Sequence, residues 1–320
     1  MTAQNTQISS KTIAVLGASG NVGKLLVEYL VSKGYKIKAF GRHAPKFDLK
    51  NVENLEVDYS NQEEMNKAVA SSDITYMLVG LEYKSKVWEA EWVPLVKRLI
   101  DACESAKSKL VFFDNVYAYG LTPGKMTETS PLKAQTRKGK VRKEIQETLE
   151  EVHKSGKIKL VIAKCADFYG PGITTSVLGD RFLDFIVNKN TVELFGNPAK
   201  KHNYTYVADI PPALEVLGLS DFEGVIHLPT NTAHTGQEFK EILEKVTGKT
   251  LKLTGLRQTT AYFLSLFIPI LRELFEMMYQ SENDYDFDSN KILKEFPELK
   301  VTSYEVGFKE TIEWYRKVQS

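Results

Sequence analysis

Apolar positions in the first third of the chain switch repeatedly between a period of two and a period near 3.6. The β-branched run Thr12-Ile13-Ala14-Val15-Leu16 reads as a buried strand. Val22–Ser32 then places Val22, Leu25, Leu26, Tyr29 and Leu30 on one helical face, and Gly34 is a fitting stop. Lys36–Phe40 alternates Ile37 and Ala39 with lysines as a second strand, which Gly41-Arg42 ends. Leu55–Val57 reads as a short strand, Gln62–Ser71 as a helix and Ile74–Val79 as a buried strand closed by Gly80. Trp88–Ala106 reads as a long helix with Pro94 as its weak point, and Lys109–Phe113 as the next strand. Five strands separated by helices predict an α/β fold, a doubly wound parallel sheet with right-handed crossovers.

Helix Lys138–Lys154 and strand Leu160–Ala163 continue the pattern, and Val225–Leu228 adds a strand. Elsewhere the signals change. Gly170-Pro171-Gly172 breaks the chain, Asp180–Val187 reads as a helix and Val192–Phe195 as a short strand. Val207–Leu217 reads as a helix despite Pro211-Pro212, Thr235–Val246 as a helix capped by Thr235, Ala261–Tyr279 as an apolar, aromatic helix and Val306–Lys317 as the last helix. No linker rich in glycine, serine or proline separates two parts, so a second region is interleaved with the sheet and not hung from it.

Composition narrows the partners. The net charge of +1 gives no reason to expect nucleic acid or an anionic membrane. Met1–Lys11 lacks an apolar signal core, and the most apolar stretch, Ala261–Leu271, is too short to span a bilayer and contains Pro269. Cys103 and Cys165 stand far apart, which fits a reducing compartment, read as the cytoplasm. His43, His153, His202, His227 and His234 show no pairing suited to a metal or a catalytic triad, so no metal is expected. Aromatic residues around Tyr262, Phe263, Phe267 and Phe275 read as core or a lid, with a homodimer surface as the alternative.

The chemistry concentrates between the first strand and the first helix. Gly17, Gly20 and Gly23 fall three apart, with Ser19, Asn21 and Val22 among them. Glycine permits the sharp turn and close approach of backbone to an anion, and the new helix N-terminus favours a phosphate. In this strand-turn-helix setting the pattern reads as a dinucleotide site of Rossmann type. At the end of the second strand an acid would hydrogen-bond a ribose 2′-hydroxyl, whereas an arginine would meet a 2′-phosphate. The chain has Arg42 there and no acid until Asp48, which favours NADP over NAD. Asp58-Tyr59 after the third strand would border the adenine, and Gly80 would line the cofactor from the fourth.

Taken together, several segments resemble the short-chain dehydrogenase/reductase superfamily in its extended and atypical branch, the NAD-dependent epimerase/dehydratase group. They are Gly17-x-x-Gly20-x-x-Gly23, Asp58-Tyr59, Asn115-Val116-Tyr117-Ala118-Tyr119-Gly120, the segment around Lys140 and Phe168-Tyr169-Gly170-Pro171-Gly172. Tyr206-Val207-Ala208-Asp209-Ile210, Phe287-Asp288-Ser289-Asn290-Lys291 and the stretch from Gly307 to Tyr315 complete them, so the likeness spans nearly the whole chain in order. The resemblance implies a sheet of about seven strands in a nucleotide-binding domain over residues 1–168, continued by 207–230. It also implies a smaller substrate region over 169–206 and 231–320. It further implies hydride chemistry on a small hydroxyl or carbonyl compound such as a nucleotide sugar.

Members of that family use a serine or threonine, a tyrosine and a lysine, the lysine binding the nicotinamide ribose and lowering the tyrosine's pKa. By register the serine position falls on Asn115, and the Tyr-x-x-x-Lys motif falls on Thr136-x-x-x-Lys140, which keeps the lysine and loses the tyrosine. A threonine hydroxyl is far too weak an acid to replace it. Tyr117 and Tyr119, just beyond a strand's C-terminal end, Tyr169 at the end of another strand and Tyr83 on a third loop are candidate proton donors, with Tyr83, Asp167 and Tyr169 also candidate substrate contacts. Within the basic run Arg137, Lys138, Lys140, Arg142 and Lys143, most side chains are expected to form a solvated face. Two function classes stay open: an NADP-dependent oxidoreductase or epimerase-type enzyme, and an NADP-binding regulator or scaffold without catalysis.

Overall fold

The computed structural model describes residues 11–265, 267 and 269–319. Most of the polar N-terminal stretch, and Leu266 and Ile268 of the apolar C-terminal stretch, lie outside the described residues. By contacts the chain divides into two compact units, residues 1–118, 140–164 and 210–226 against 119–139, 165–209 and 227–320.

The first unit holds the sheet. Its strands are β1 (Thr12–Leu16), β2 (Lys36–Gly41), β3 (Val52–Glu56), β4 (Ile74–Met77), β5 (Lys109–Asp114), β6 (Leu160–Lys164) and β7 (Gly224–His227, whose last residue belongs to the second unit). Its helices are α1 (Asn21–Ser32), α2 (Gln62–Val69), α3 (Ser85–Ala106), α4 (Arg137–Lys154, whose first three residues belong to the second unit) and α5 (Ile210–Leu219). The seven strands lie in the order β7-β6-β5-β4-β1-β2-β3. The pairings β1–β2, β2–β3, β1–β4, β4–β5 and β5–β6 are all parallel, the α/β architecture expected from the alternating pattern. Chain order reverses direction beside β1, the switch point at which such sheets open a crevice for ligands.

Alternation along the strands divides the core. Ala14, Leu16, Met77, Leu110 and Phe112 join α2, α3 and α4 in one apolar cluster on one face. On the other face α1 meets α5, where the Tyr29 hydroxyl donates to Glu215 at 2.9 Å and the Tyr76 hydroxyl donates to the Leu214 carbonyl at 3.0 Å. Pro94 is exposed inside a continuous α3, so the expected weak point does not break the helix. Pro211 and Pro212 fall in the first turn of α5, where a missing N–H costs no intrahelical bond. The helix read over Val207–Leu217 accordingly starts at Ile210, after a short 3-10 turn at Val207–Asp209.

The second unit packs Tyr169, Phe182, Leu194, Tyr204, Tyr206, Phe239, Leu243, Tyr304, Phe308 and Ile312 into its own core. A parallel pair, Thr191–Phe195 with Lys252–Leu256, was not legible as a pair from sequence, because the second strand is short, at most half-buried and interrupted by Gly255. The apolar stretch read as one helix is divided into Gln258–Ser265 and Pro269–Phe275, and Tyr262, Phe263 and Phe267 are exposed and not core. Among the described residues no helix is long and apolar enough to cross a membrane.

Candidate active site

The turn from β1 into α1 is held from below. Gly17 adopts φ +84°, and a Cβ there would lie 2.7 Å from the backbone of Leu78. The N–H groups of Gly17 and Ala18 both donate to the Phe40 carbonyl at 3.0 Å, and Gly17 N also reaches the Tyr59 hydroxyl at 3.1 Å. A Cβ on Gly23 would meet the Gly17 carbonyl oxygen at 2.2 Å, so the first turn of α1 lies directly on the loop. Gly20 is the N-cap, with no side-chain cap and no acid in the first turn. The leading N–H groups of α1 are therefore left for an anion. Ser19, Gly20 and Asn21 are exposed around that opening, while Val22 is buried beneath it. This cradle has the shape and the donor set that a dinucleotide pyrophosphate requires.

Arg42 follows β2 and is exposed, and among the described residues it forms no ion pair. The neighbouring loop is close: the Ser19 hydroxyl would lie 3.3 Å from a Cβ on Gly41. Asp58 is exposed and accepts from the Ser60 N–H at 2.8 Å and hydroxyl at 2.7 Å, which hold its carboxyl below the usual range. Tyr59, expected beside an adenine, is instead a buried strut. Its hydroxyl accepts from Gly17 N and donates to the Phe40 carbonyl at 3.4 Å, and burial pushes its pKa up to about 12. Gly80 is exposed with open space around it.

Beyond β5 the side chains converge. Asn115 is half-buried, and its residue is fixed on three sides. Its N–H donates to Asp114 Oδ1 at 2.9 Å, its Oδ1 accepts from Tyr117 N at 3.0 Å, and its carbonyl accepts from Lys164 Nζ at 3.0 Å. With Oδ1 committed, the amide Nδ2 is the Asn115 group left to donate to an incoming oxygen. The Tyr83 and Tyr117 hydroxyls lie 3.3 Å apart, both half-buried against the apolar core. Beneath them Asp114 accepts from Lys164 Nζ at 2.8 Å and sits 3.3 Å from Arg142 Nη1, all three being buried.

Sequence reading missed this trio. It placed most of the basic run on a solvated face, yet Lys138 and Arg142 are buried. The signal was present: positions 138, 142, 145 and 149 repeat at helical spacing, and Val141, Ile145 and Leu149 mark the buried stripe. Lys138 Nζ is held by Glu273 Oε2 at 2.6 Å, the Glu273 carbonyl at 3.0 Å and Glu276 Oε1 at 2.9 Å. Lys140, the lysine selected by alignment, has an exposed side chain. Thr136 has a local reason to replace a tyrosine: its hydroxyl accepts from Gly139 N at 3.1 Å and caps α4.

Two further tyrosines are packed inside the second unit. Tyr119 is fully buried, its hydroxyl 2.9 Å from His227 Nε2, while His227 Nδ1 meets the Asp288 carbonyl at 2.8 Å. Tyr169 is enclosed by Tyr206, Tyr304 and Phe308, and burial drives its pKa far above the usual tyrosine value. Both are corrections to the expected roles, and the cause is the second apolar core, which local spacing does not reveal. Asp167 is half-exposed, with His202 Nε2 3.5 Å from its Oδ2 and the His202 ring stacked between Tyr204 and Tyr285. Among the described residues no cluster of His, Cys, Asp and Glu is suited to a metal ion.

Known proteins resemble the chain in sequence and in fold. The chain is 25% identical over 219 residues to the NADH-ubiquinone oxidoreductase 40 kDa subunit, mitochondrial, of Neurospora crassa, covering 66% of this chain and 52% of that protein. It is 26% identical over 186 residues to dTDP-6-deoxy-L-talose 4-dehydrogenase (NAD(P)(+)) of Kitasatospora kifunensis, covering 54% of this chain and 56% of that one. The chain thus spans about half the length of the curated relatives it matches. UDP-glucuronic acid 4-epimerase from Bacillus cereus, solved in complex with NAD, superposes with a TM-score of 0.77 at 16% identity, covering 97% of this chain and 100% of that one. The NAD-dependent epimerase/dehydratase profile matches residues 13–217, from β1 into α5, and the chain belongs to that family.

Proposed function

We propose that this protein is an NADP-dependent oxidoreductase or epimerase-type enzyme acting on a small hydroxyl or carbonyl compound of the nucleotide-sugar class. The observation that carries the reading is the uncapped N-terminus of α1 above Gly17 and Gly23, with the exposed Arg42 beside it and no acid at the end of β2. Gly17, Ser19, Gly20, Asn21, Val22 and Gly23 would hold the pyrophosphate, and Gly80 would border the nicotinamide half. Arg42 would pair with a 2′-phosphate through its planar fork of donors. When bound, the cofactor supplies or accepts a hydride, and the chain's own part is to bind, orient and polarise. Asn115 Nδ2 would orient the substrate oxygen. The relative named for NAD(P)(+) and the neighbour holding NAD support a nicotinamide cofactor. The preference for NADP rests on Arg42.

Titration of the protein with NADPH and NADH, followed by nicotinamide fluorescence, tests this directly. NADPH should bind more tightly, and Arg42→Ala should remove the preference while leaving NADH affinity within about threefold, the loss being one charge-assisted contact. Equal affinities in the wild type would remove the NADP assignment, and no binding of either would remove the reading itself.

A second reading, an NADP-holding regulator or scaffold, is favoured by Thr136, which is occupied as a helix cap, and by the exposed Lys140. Steady oxidation of NADPH with any aldehyde, ketone or keto-sugar nucleotide would end that alternative.

A further inference from the structure

Tyr83, Trp88, Trp92, Tyr117 and Arg142 form one packed group within the first unit. The Arg142 guanidinium lies over the Trp92 ring at 3.9 Å and the Trp88 ring at 4.6 Å. Trp88 also stacks on Tyr117, with centroids 6.2 Å apart and planes at 22°, and meets Tyr83 edge-on at 5.6 Å. The two tyrosine hydroxyls are joined at 3.3 Å. Arg142 is 6% exposed, and its Nε and Nη1 make no hydrogen bond among the described residues. Asp114, at 3.3 Å, is already hydrogen-bonded by Lys164. The Asp114 carboxylate and the two indole faces offset the burial of this charge, while Nε and Nη1 keep hydrogen-bonding capacity that no neighbour takes up.

We propose that the Tyr83–Tyr117 hydroxyl pair, packed on the Trp88 ring over which the buried Arg142 guanidinium also lies, is the proton-donating group of this site, with Tyr117 as donor and Tyr83 as relay. The inference rests on the reading of the glycine cradle as a nicotinamide-dinucleotide site. In carbonyl reduction the carbonyl carbon takes the hydride that a reduced nicotinamide supplies. The carbonyl oxygen takes the Tyr117 proton and becomes a hydroxyl. The phenolate left on Tyr117 is reprotonated from water through Tyr83. Arg142 is a positioning residue: its charge favours the phenolate, the part that a lysine plays beside the tyrosine in relatives that keep both. Asn115 and the Asp114–Lys164 pair fix the backbone that carries Tyr117.

The charged groups packed nearest in the same cluster of elements are Arg142 on α4, Asp114 on β5 and Lys164 on β6, with the exposed Glu82–Lys84 ion pair on Tyr83's own loop.

The experiment has two arms. In the first, NADPH-dependent reduction of a carbonyl panel is followed across pH. Tyr117→Phe should lower kcat by about 10²- to 10⁴-fold with KM nearly unchanged, the range for a lost general acid. Arg142→Gln should move the alkaline limb of the profile to higher pH, and Arg142→Lys should restore it. Full kcat in Tyr117→Phe, with NADPH still bound, overturns the proposal and leaves the cofactor reading intact. The second arm needs no substrate. Near-ultraviolet tyrosinate absorbance of wild type minus Tyr117→Phe isolates the titration of that one phenol. The same difference in an Arg142→Gln background, and in the milder Arg142→Lys, should titrate at higher pH only where the charge is gone. An unmoved titration overturns the proposal, and failure of NADPH to bind at all overturns the underlying reading instead.

Discussion

Replacing Gly23 by alanine adds one methyl where the molecule has no room. The new Cβ would lie 2.2 Å from the Gly17 carbonyl oxygen, 2.9 Å from Ala18 Cα and 3.0 Å from the Gly17 carbonyl carbon. All three are backbone atoms, so no rotamer relieves the contact. Restoring an ordinary separation requires α1 to withdraw from the loop by roughly 1 Å. Overpacking of this kind costs about 1–3 kcal/mol. At about 2–4 °C per kcal/mol for a unit of this size, a 2 kcal/mol loss lowers Tm by roughly 4–8 °C. The same withdrawal strains the Gly20 N–H to Gly17 carbonyl bond, 3.0 Å in the native turn, and displaces the donors of the cradle. Gly20→Ala is the control. There the added Cβ meets only the Gly17 oxygen, at 3.2 Å, and φ is an ordinary −73°. Its stability loss should stay within about 1 kcal/mol, the scale of a changed N-cap, while its exposed methyl still obstructs an anion. Thermal unfolding and NADPH titration of both variants separate the effects. Gly23→Ala should lose stability and binding, and Gly20→Ala chiefly binding. A Gly23→Ala protein that melts and binds like the wild type would refute the claim that helix and loop are in contact limited by that hydrogen atom.

Two further expectations concern buried charge. Lys164→Met leaves Asp114 buried beside Arg142 without its shortest partner and should cost about 3–5 kcal/mol in urea unfolding, with much of the loss recovered by Asp114→Asn in the same chain. No recovery in the double variant would mean that Lys164 acts through packing alone. Lys109 is buried with its ammonium donating to the Leu217 carbonyl at 2.8 Å and the Ser220 carbonyl at 2.6 Å, and burial pulls its pKa down to about 8. The folded protein thus sheds this proton before the unfolded chain does. Between pH 8 and the usual lysine range, about 10.4, the unfolded state binds more protons and the contribution of Lys109 to stability rises with pH. Denaturant midpoints should show that rise in the wild type and not in Lys109→Met; equal slopes would sink the assignment.

Much of the first unit was legible because its determinants are local. A parallel sheet buries both faces, so each strand announces itself as an apolar run, and each crossover helix carries a stripe at 3.6 spacing. The glycine spacing fixes the cradle for the same reason: a positive φ at Gly17 and the contact at Gly23 are demands that a few neighbouring residues must meet. Arg42 could be placed at the end of β2 by counting from the strand alone.

The buried charges and the candidate proton donors were decided elsewhere. Asp114, Arg142 and Lys164 come from three elements separated by 22 residues or more in the chain, and only the stacking of β5, β6 and α4 makes them one buried group. Tyr117 and Tyr119 looked equivalent in sequence. One faces Tyr83 in the first unit, while the other is locked against His227 in the second. Lys138 and Lys140 differ by two positions, a rotation of about 200° on a helix, and so one is buried between carboxylates while the other is in solvent. Spacing along the chain therefore determined where the sheet lies and where a dinucleotide would be held. Which side chains could move a proton depended on packing between distant segments, since burial and neighbouring charge, the quantities that govern proton affinity, exist only after those segments meet.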